Sequence, residues 1–419
     1  MNTEDKNVIV AIVTSPDPKG YFGNGLHQNA FYLYRLLERC SNVTPLLAYS
    51  PLALADPTDA PDFLDVFGIR AYNIDVFKEK YHLDAMLLVS VAFSERDLEP
   101  FRKNGVKIAA VVYGNRYVMD QESICFGHLD PPANSGQRNY ADIDLLREDC
   151  SLDAVWLSPH FHWQSDYIRH RYNAKRSWVC PYIWDQELLS LKYKTSGLFD
   201  EKSVFFHKGN PANKNVFCTE PNINILKTSL FPFYVANRVH TDSPDKIDKT
   251  VLYNSDVAIT HNRKLNSYLS FFQAAKDRSI IFAKRQTMPT ITRDGQVMFH
   301  HHFENGLNYT LLEAATLRLP IVHNSEFMPE LGYYYHRANI TQAVKQLTNA
   351  LAHEERHDLA EYNDACQDVI HKFSIDNKSN QLGYSTLLAN LLDDSYEPEL
   401  PDYINELSGG VNNYISPLG

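Results

Sequence analysis

The sequence predicts an α/β protein made of two Rossmann-like, doubly wound domains that face a cleft. Short apolar and β-branched runs alternate with segments of helical periodicity, which is typical of parallel sheets covered by helices on both faces. The alternation occurs in two series, and the turn-rich stretch His207–Asn215 (HKGNPANKN) lies between them. The length of 419 residues agrees with this organisation, since it suits two or three domains.

The first series opens with a strand, a glycine-bearing loop and a helix. Val8–Thr14 is a β-branched run, Ser15–Gly25 is rich in Pro, Gly and Asn, and apolar residues recur at helical spacing from Leu26. Further strands are predicted at Val43–Leu47, Ala85–Val91, Lys107–Val112, Ala154–Leu157 and Trp178–Cys180. We assign residues 1–195 to an N-terminal domain.

The second series opens with the predicted strand Val216–Thr219, followed by a helix over about Ile223–Arg238 that Pro232 is expected to kink. The next predicted strands are Ala258–Thr260, Ser279–Ala283, Val297–His300 and Ile321–His323. Three helical segments follow, around Thr341–His353, Asp358–Phe373 and Asn380–Leu392. Residues 196–375 form the second predicted domain.

Composition excludes several function classes. The chain has 40 Lys and Arg against 51 Asp and Glu, and this net charge of -11 argues against broad electrostatic binding to nucleic acid or to a membrane surface. The longest apolar runs fall well short of the roughly 18 residues of a membrane span, and no signal peptide is expected. The six cysteines lack CxxC spacing. A cytoplasmic protein with reduced thiols is predicted.

Two loops after predicted strands are candidate anion sites. Gly25 closes the first loop before a helix, whose N–H groups and positive dipole end favour an anion or a sugar hydroxyl. Lys227 and Thr228 stand in the first turns of the predicted second-domain helix, where an ammonium and amides neutralise a diphosphate. The structural alternatives stay open: a turn that needs glycine, and a solvated lysine.

A third candidate site lies in Phe299–Phe327. The predicted strand ends in His300–His302, a loop with Asn305 and Gly306 follows, and a helix runs from about Leu307 to Leu317. Consecutive histidines on a strand point to opposite faces, so all three cannot bind one metal ion, and no metal site is expected. The helix start after Gly306 is a predicted seat for a diphosphate or ribose, with Glu313 two turns into the helix.

These motifs, taken in order, resemble the GT-B glycosyltransferase superfamily. The stretches that carry the resemblance are the strand, loop and helix of residues 8–37, DAVWLSPHF (Asp153–Phe161), VCPYIWD (Val179–Asp185) and EAATLRLPIVHN (Glu313–Asn324). EPNINILKTS (Glu220–Ser229) and the stretch Asn308–Tyr335 are similar to a bacterial and phage family of glycosyltransferase-like proteins of unknown function. The resemblance implies that residues 376–419 form a helix and tail that return to the N-terminal domain.

The resemblance also implies roles for individual residues. Lys227 corresponds to the lysine that binds the donor diphosphate, and Glu313 to the second glutamate of the E-x7-E motif, which holds the ribose. Asn305 stands at the position of the first glutamate, and Lys284 or Arg285 is expected to replace a missing arginine. The full predicted donor set is Gly25, Lys227, Thr228, Arg285, His301, Asn305, Gly306, Leu307, Asn308, Tyr309 and Glu313.

The predicted activity is sugar transfer from a nucleotide-diphosphate sugar, a co-substrate, with no cofactor. Lys227 stabilises the leaving diphosphate, and His27 is the candidate base if the reaction inverts. Hydroxymethylated cytosine in phage DNA is one predicted acceptor, with the basic stretch Ile168–Arg176 (IRHRYNAKR) as a phosphate track. The alternatives are a bacterial surface glycan or protein acceptor, a non-catalytic nucleotide-sugar binder, and a sugar-nucleotide epimerase. The oligomeric state stays open.

Overall fold

The computed structural model describes residues 7–14, 25–49, 67–79, 82–91, 93–126, 151–197, 214–353 and 359–407. The chain divides into two compact units. One comprises the described residues within 1–121, 142–185 and 373–419, and the other comprises those within 122–141 and 186–372. Each unit contains one parallel sheet with helices, and no helix in the described ranges is long and apolar enough to cross a membrane.

The first sheet has seven strands. They are β1 (Val8–Thr14), β2 (Val43–Tyr49), β3 (Ala71–Asn73), β4 (Ala85–Val89), β5 (Lys107–Val112), β6 (Leu152–Leu157) and β7 (Ala174–Val179). Their order is β3-β2-β1-β4-β5-β6-β7, and the pairings are parallel. The central strands are apolar and buried on both faces, as expected for a parallel sheet covered by helices.

The helices before residue 185 are α1 (Gly25–Leu37), α2 (Val76–Glu79), α3 (Glu95–Lys103), α4 (Arg116–Phe126) and α5 (Ser165–Arg171), with a 3-10 helix at Pro159–Gln164. Ser94 begins α3 with a capping box, because its side chain accepts the Asp97 N–H and the Asp97 side chain accepts the Ser94 N–H. The helix beginning near Leu26 and the strands of the first series are confirmed, with ends shifted by a few residues.

The second sheet has six strands. They are β8 (Val216–Cys218), β9 (Thr250–Tyr253), β10 (Ile280–Ala283), β11 (Val297–Phe299), β12 (Ile321–His323) and β13 (Tyr333–Tyr334). Their order is β10-β9-β8-β11-β12-β13, again with parallel pairings. The helices of this part of the chain are α6 (Glu187–Ser196), α7 (Leu230–Asp242), α8 (Asp256–His261), α9 (Arg263–Leu269), α10 (Gln273–Lys276), α11 (Met288–Asp294), α12 (Tyr309–Leu317), α13 (Ile340–Leu351) and α14 (Leu359–Phe373).

Two predictions for the second series are wrong. Ala258–Thr260 lies in helix α8, and the strand beside β8 is Thr250–Tyr253 (TVLY), which pairs in parallel with both β8 and β10. A short apolar run does not distinguish a strand from a helix, which explains why the strand was predicted at Ala258–Thr260 and not at Thr250–Tyr253. The helix predicted from Ile223 begins at Leu230, so Pro232 falls in its first turn, where a missing N–H breaks no helical hydrogen bond.

The chain returns to the first unit through α15 (Lys378–Leu392), followed by α16 (Asp402–Leu407). Tyr384 of α15 is fully buried and donates its hydroxyl hydrogen to the Pro181 carbonyl oxygen at 2.9 Å. Its hydroxyl also lies 3.2 Å from the Tyr113 hydroxyl. Helix α6 belongs to the second unit, where Lys192 and Tyr193 form hydrogen bonds with Glu313 and Thr292, whereas the predicted N-terminal domain extended to residue 195.

Candidate functional site

The candidate site lies at the carboxyl end of the second sheet, between β8 and β11. The chain runs outward from β8 through β9 to β10 and then returns to β11 on the other side of β8. Such a change of direction opens a crevice outside the carboxyl ends of the two strands, where doubly wound sheets bind ligands. Glu220 follows β8, and His300 directly follows β11.

Three buried side chains meet at this crevice. Glu220 Oε2 accepts a hydrogen bond of 2.8 Å from His302 Nε2, and Glu220 Oε1 lies 2.9 Å from His300 Nδ1. Oε1 also accepts a hydrogen bond of 3.1 Å from the His301 backbone N–H. The extended backbone after β11 turns alternate side chains to the same side, so His300 and His302 face Glu220 together. We call these three residues the Glu-His-His cluster.

Burial sets the protonation of this cluster. It would raise the pKa of the Glu220 carboxyl, but the neighbouring His300 and His302 outweigh burial and hold that pKa well below its usual value. Burial lowers the pKa of His302 to about 3, although the Glu220 carboxylate opposes the shift. At neutral pH, burial therefore favours the neutral His302 imidazole, and its hydrogen bond to Glu220 favours the ionised carboxylate.

His301 points away from the cluster into an aromatic stack. Its ring lies 4.1 Å from the Phe231 ring at an interplanar angle of 14°, and its Nδ1 lies 2.8 Å from the Tyr335 hydroxyl. Burial lowers the pKa of His301 to about 4, so it is neutral at physiological pH. His301, a predicted donor-binding residue, is thus engaged by packing and by a hydrogen bond within the second unit.

Lys227 lies in the loop between Glu220 and Ser229, before α7 begins. Asn222 shapes this loop: its Oδ1 accepts the Ser229 N–H at 2.8 Å, and its Nδ2 donates to the Glu220 carbonyl at 2.9 Å. Burial lowers the pKa of Lys227, and the attraction of Glu220 opposes this shift. The Lys227 ammonium makes no hydrogen bond or close ion pair with any residue that the structure describes. It is therefore available to an anion.

The turn from His302 to α12 is tightly packed. His302 Nδ1 lies 3.0 Å from the Asn305 carbonyl oxygen. A Cβ on Gly306 would lie 2.5 Å from the Phe327 ring, so the turn requires glycine. Asn308 caps α12, because its side-chain oxygen accepts the Thr310 N–H at 2.9 Å. The predicted donor residues of this turn are brought together, and these contacts give the turn its shape.

Glu313 is buried in α12 and paired. Its Oε1 accepts a 2.6 Å hydrogen bond from the Lys192 ammonium on α6, and the side chains of Glu313 and Lys192 are 10% and 14% exposed. Glu313 is therefore not a solvent-exposed surface glutamate. Its predicted role in ribose binding stays a prediction, with one carboxylate oxygen already held by an ammonium.

The other predicted residues are dispersed. Arg285 is exposed and follows the edge strand β10, with β9 between that strand and β8. Thr228 is half-buried beside Lys227, and the Leu307 and Tyr309 side chains are buried. Gly25 and His27 lie in the first turn of α1 in the first unit, where His27 is buried. The rest of the predicted first loop, residues 15–24, lies outside the described residues.

Sequence reasoning missed four participating residues: Glu220, Lys192, and the pair His300 and His302. The pair His300 and His302 could have been predicted from the sequence, because histidines two residues apart on a strand share a face. Glu220 and Lys192 could not, since their partners are 82 and 121 residues away along the chain. Only the register of β8 beside β11, with Val216 opposite Val297, brings Glu220 to the histidines.

Comparison with known proteins supports the fold. A family model described as "Protein of unknown function (DUF2827)" matches residues 8–388. No curated protein matches the sequence. The solved structure of the pneumococcal O-GlcNAc transferase GtfA in complex with UDP and GlcNAc is 9% identical, with a TM-score of 0.50, and the match covers 93% of this chain and 100% of that chain.

Two further solved structures are similar at slightly lower scores. Anabaena Alr3699/HepE in complex with UDP-glucose is 10% identical with a TM-score of 0.49, covering 91% of this chain and 99% of that chain. The E. coli trehalose-6-phosphate protein bound with UDP-2-fluoro glucose is 12% identical with a TM-score of 0.49, covering 92% and 99%. The two parallel sheets and the likeness to GtfA confirm the predicted α/β fold class of two Rossmann-like domains, GT-B.

Proposed function

The chain belongs to the DUF2827 family, described as proteins of unknown function. We propose that this member of the family transfers a sugar from a nucleotide-diphosphate sugar to an acceptor. One observation carries the proposal. The Lys227 ammonium, which has no partner among the described residues, lies in the loop after β8, where the second sheet of a GT-B fold changes direction. A cation fixed there stabilises the negative charge that develops on a leaving diphosphate.

The mechanism follows from what these residues do. The Asn222-braced loop holds Lys227 before any ligand arrives, so the ammonium needs little reorganisation as the sugar bond breaks. The amino end of α12 adds oriented N–H dipoles. Glu313 offers its second carboxylate oxygen to a ribose hydroxyl while Lys192 fixes the first. In this proposal His27 accepts the acceptor proton if the transfer inverts the sugar.

Binding of UDP compared with uridine tests this proposal. UDP is the first nucleotide to try, because the similar pneumococcal transferase structure contains it. Lys227→Ala should weaken UDP binding by about 10- to 100-fold, the value of a charge-assisted hydrogen bond, and leave uridine binding unchanged. Lys264→Ala removes an exposed lysine of α9 and serves as the matched control. Equal loss of UDP and uridine binding would remove Lys227 from the diphosphate site.

A second comparison tests Glu313. Glu313→Gln should weaken UDP more than 2′-deoxy-UDP, because only the ribonucleotide offers both hydroxyls to the carboxylate. Equal weakening of the two nucleotides would show that Glu313 acts through its ion pair with Lys192 alone. Slow release of free sugar from a UDP-sugar without acceptor separates a transferase from a non-catalytic binder, which would release none.

The acceptor is the finer part of the proposal. In the stretch Ile168–Arg176, Arg169 pairs with Asp166, Arg171 with Asp120, and Lys175 with Asp153, at 2.8 to 3.0 Å. These carboxylates compensate much of the charge that a phosphate track would use. The pairing favours a glycan or protein hydroxyl over hydroxymethylated cytosine in DNA. Labelled-sugar transfer to hydroxymethylated and unmodified DNA, measured at low salt, decides between the acceptor classes.

A further inference from the structure

We propose that the Glu-His-His cluster binds one divalent transition-metal ion of the Zn²⁺ class. Glu220, His300 and His302 each offer one ligand atom, and these atoms lie within 4.8 Å of one another. All three side chains are buried, with 1% of Glu220, 4% of His300 and 3% of His302 exposed. The inference goes beyond the proposed sugar transfer, because metal binding requires neither donor nor acceptor.

The spacing of the ligand atoms suits a metal ion. Zinc binds imidazole nitrogen at about 2.0–2.1 Å and carboxylate oxygen at about 2.0–2.2 Å, so ligand atoms around one ion lie roughly 3 Å apart. The carboxylate oxygens of Glu220 lie 2.8 Å from His302 Nε2 and 2.9 Å from His300 Nδ1. An ion therefore fits with small side-chain shifts.

His300 supplies independent evidence. Neither of its ring nitrogens makes a hydrogen bond within the described ranges of the chain, even though Nδ1 is only 2.9 Å from Glu220. Leaving a buried polar group without a partner costs about 1–3 kcal/mol, so such groups need a specific explanation. A metal ion bound to one of these nitrogens would give that nitrogen a partner, so it would not need an aligned hydrogen bond to Glu220.

The surroundings of the cluster resemble those of metal ligands. A ligating histidine donates its other ring N–H to a carbonyl or carboxylate, which fixes the nitrogen that faces the metal. His302 Nδ1 lies 3.0 Å from the Asn305 carbonyl oxygen, so in the metal-bound form the ring would donate there and direct its Nε2 lone pair at the ion. The His301 backbone N–H holds Glu220 Oε1 in place.

The ligand set defines the class of ion. Two imidazoles and one carboxylate suit zinc and other late divalent ions better than Mg²⁺ or Ca²⁺, which prefer oxygen ligands. Three protein ligands leave a coordination position for an exogenous oxygen, such as water or phosphate. The sequence expectation of no metal site rested on three consecutive histidines; the proposed site uses two of them and adds Glu220.

The test is metal binding by the full chain after treatment with a chelator. Titration with Zn²⁺ should give one tight site, and X-ray absorption at the zinc edge should show nitrogen and oxygen ligands without sulfur. His300→Gln and His302→Gln each remove a ligand and should weaken Zn²⁺ binding by more than the roughly 10- to 100-fold that loss of an outer-shell partner costs. His261→Gln, which alters an exposed histidine of α8, is the matched control and should bind as the parent does.

Several outcomes would overturn the proposal. These are no stoichiometric zinc in the parent, sulfur in the coordination shell, or undiminished binding by a cluster variant. Circular dichroism checks that each variant is folded; if one is not, a tetrahedral Co²⁺ spectrum of the parent supports the site, and an octahedral spectrum refutes it. UDP binding is measured separately, so loss of the metal proposal leaves the sugar-transfer proposal standing.

Discussion

Removing the Lys192 ammonium should destabilise the second unit strongly. At the 2.6 Å separation of Lys192 Nζ and Glu313 Oε1, two unit charges attract by about 6 kcal/mol at an effective dielectric constant of about 20. Desolvation of both groups offsets much of this attraction. Lys192→Met leaves Glu313 charged and buried without this partner, which costs about 3–5 kcal/mol. An exposed ion pair would cost at most about 1 kcal/mol.

The assay takes advantage of where the tryptophans lie. All four, Trp156, Trp163, Trp178 and Trp184, belong to the first unit, so tryptophan fluorescence follows that unit and far-ultraviolet circular dichroism follows both. In Lys192→Met, the melting temperature of the second unit should fall by about 10 °C, since 1 kcal/mol shifts a unit of this size by about 2–4 °C. The fluorescence transition should move less.

Two variants complete the experiment. Lys194→Met changes an exposed lysine on the same helix and should leave the melting temperature nearly unchanged. The double variant Lys192→Met/Glu313→Leu removes both charges and should recover most of the lost stability, because a buried pair is often replaceable by apolar groups. A loss in Lys192→Met no larger than that in Lys194→Met would refute the argument that burial strengthens the pair.

Two further predictions concern stability. Gly306→Ala should destabilise the protein by about 1–3 kcal/mol in urea unfolding, because its Cβ would lie 2.5 Å from the Phe327 ring. Gly114→Ala, whose Cβ would meet Met119 at 3.6 Å, should change stability by less than about 1 kcal/mol. Burial lowers the pKa of the His323 imidazole to about 4, so the unfolded chain binds a proton there more readily than the folded chain does. The folded state therefore loses stability as the pH falls from 7 to 5, and His323 should account for about 2 kcal/mol of that loss. The variant His323→Gln should lose less stability between pH 7 and pH 5 by about this amount, whereas His336→Gln, which changes an exposed histidine, should lose as much as the parent. Equal pH dependence in the parent and both variants would contradict the role of His323.

The sequence predicted a strand or helix correctly where the residues of that element determine its conformation by themselves. The β-branched run Val8–Thr14 forms a strand in any α/β arrangement, and Ile321–His323 was predicted to the residue. The start of α7 was missed because Ile223 and Ile225 continue an apolar pattern although both are exposed. The side-chain bonds of Asn222 hold that segment as a loop, and hydrogen bonds of this kind leave no periodic signal.

The site was predictable only in part for a different reason. Lys227 and the turn at Asn305 and Gly306 were identified from a resemblance that runs along the chain. The partners of buried charges come from distant segments, as Lys192 does for Glu313 and Glu220 for the histidines. Their pairing depends on strand register and helix placement, which a single sequence does not encode in any local pattern.

The late position of α15 also determines the order in which a newly synthesised chain folds. Helix α15 contacts β4, β5 and α1, and the Tyr384 side chain is fully buried in the first unit. A chain emerging from the ribosome lacks this helix until the second unit has been made. The second unit therefore completes its core first, while the first sheet keeps part of its apolar surface exposed. Nascent chains of this protein should recruit chaperones to their amino-terminal half.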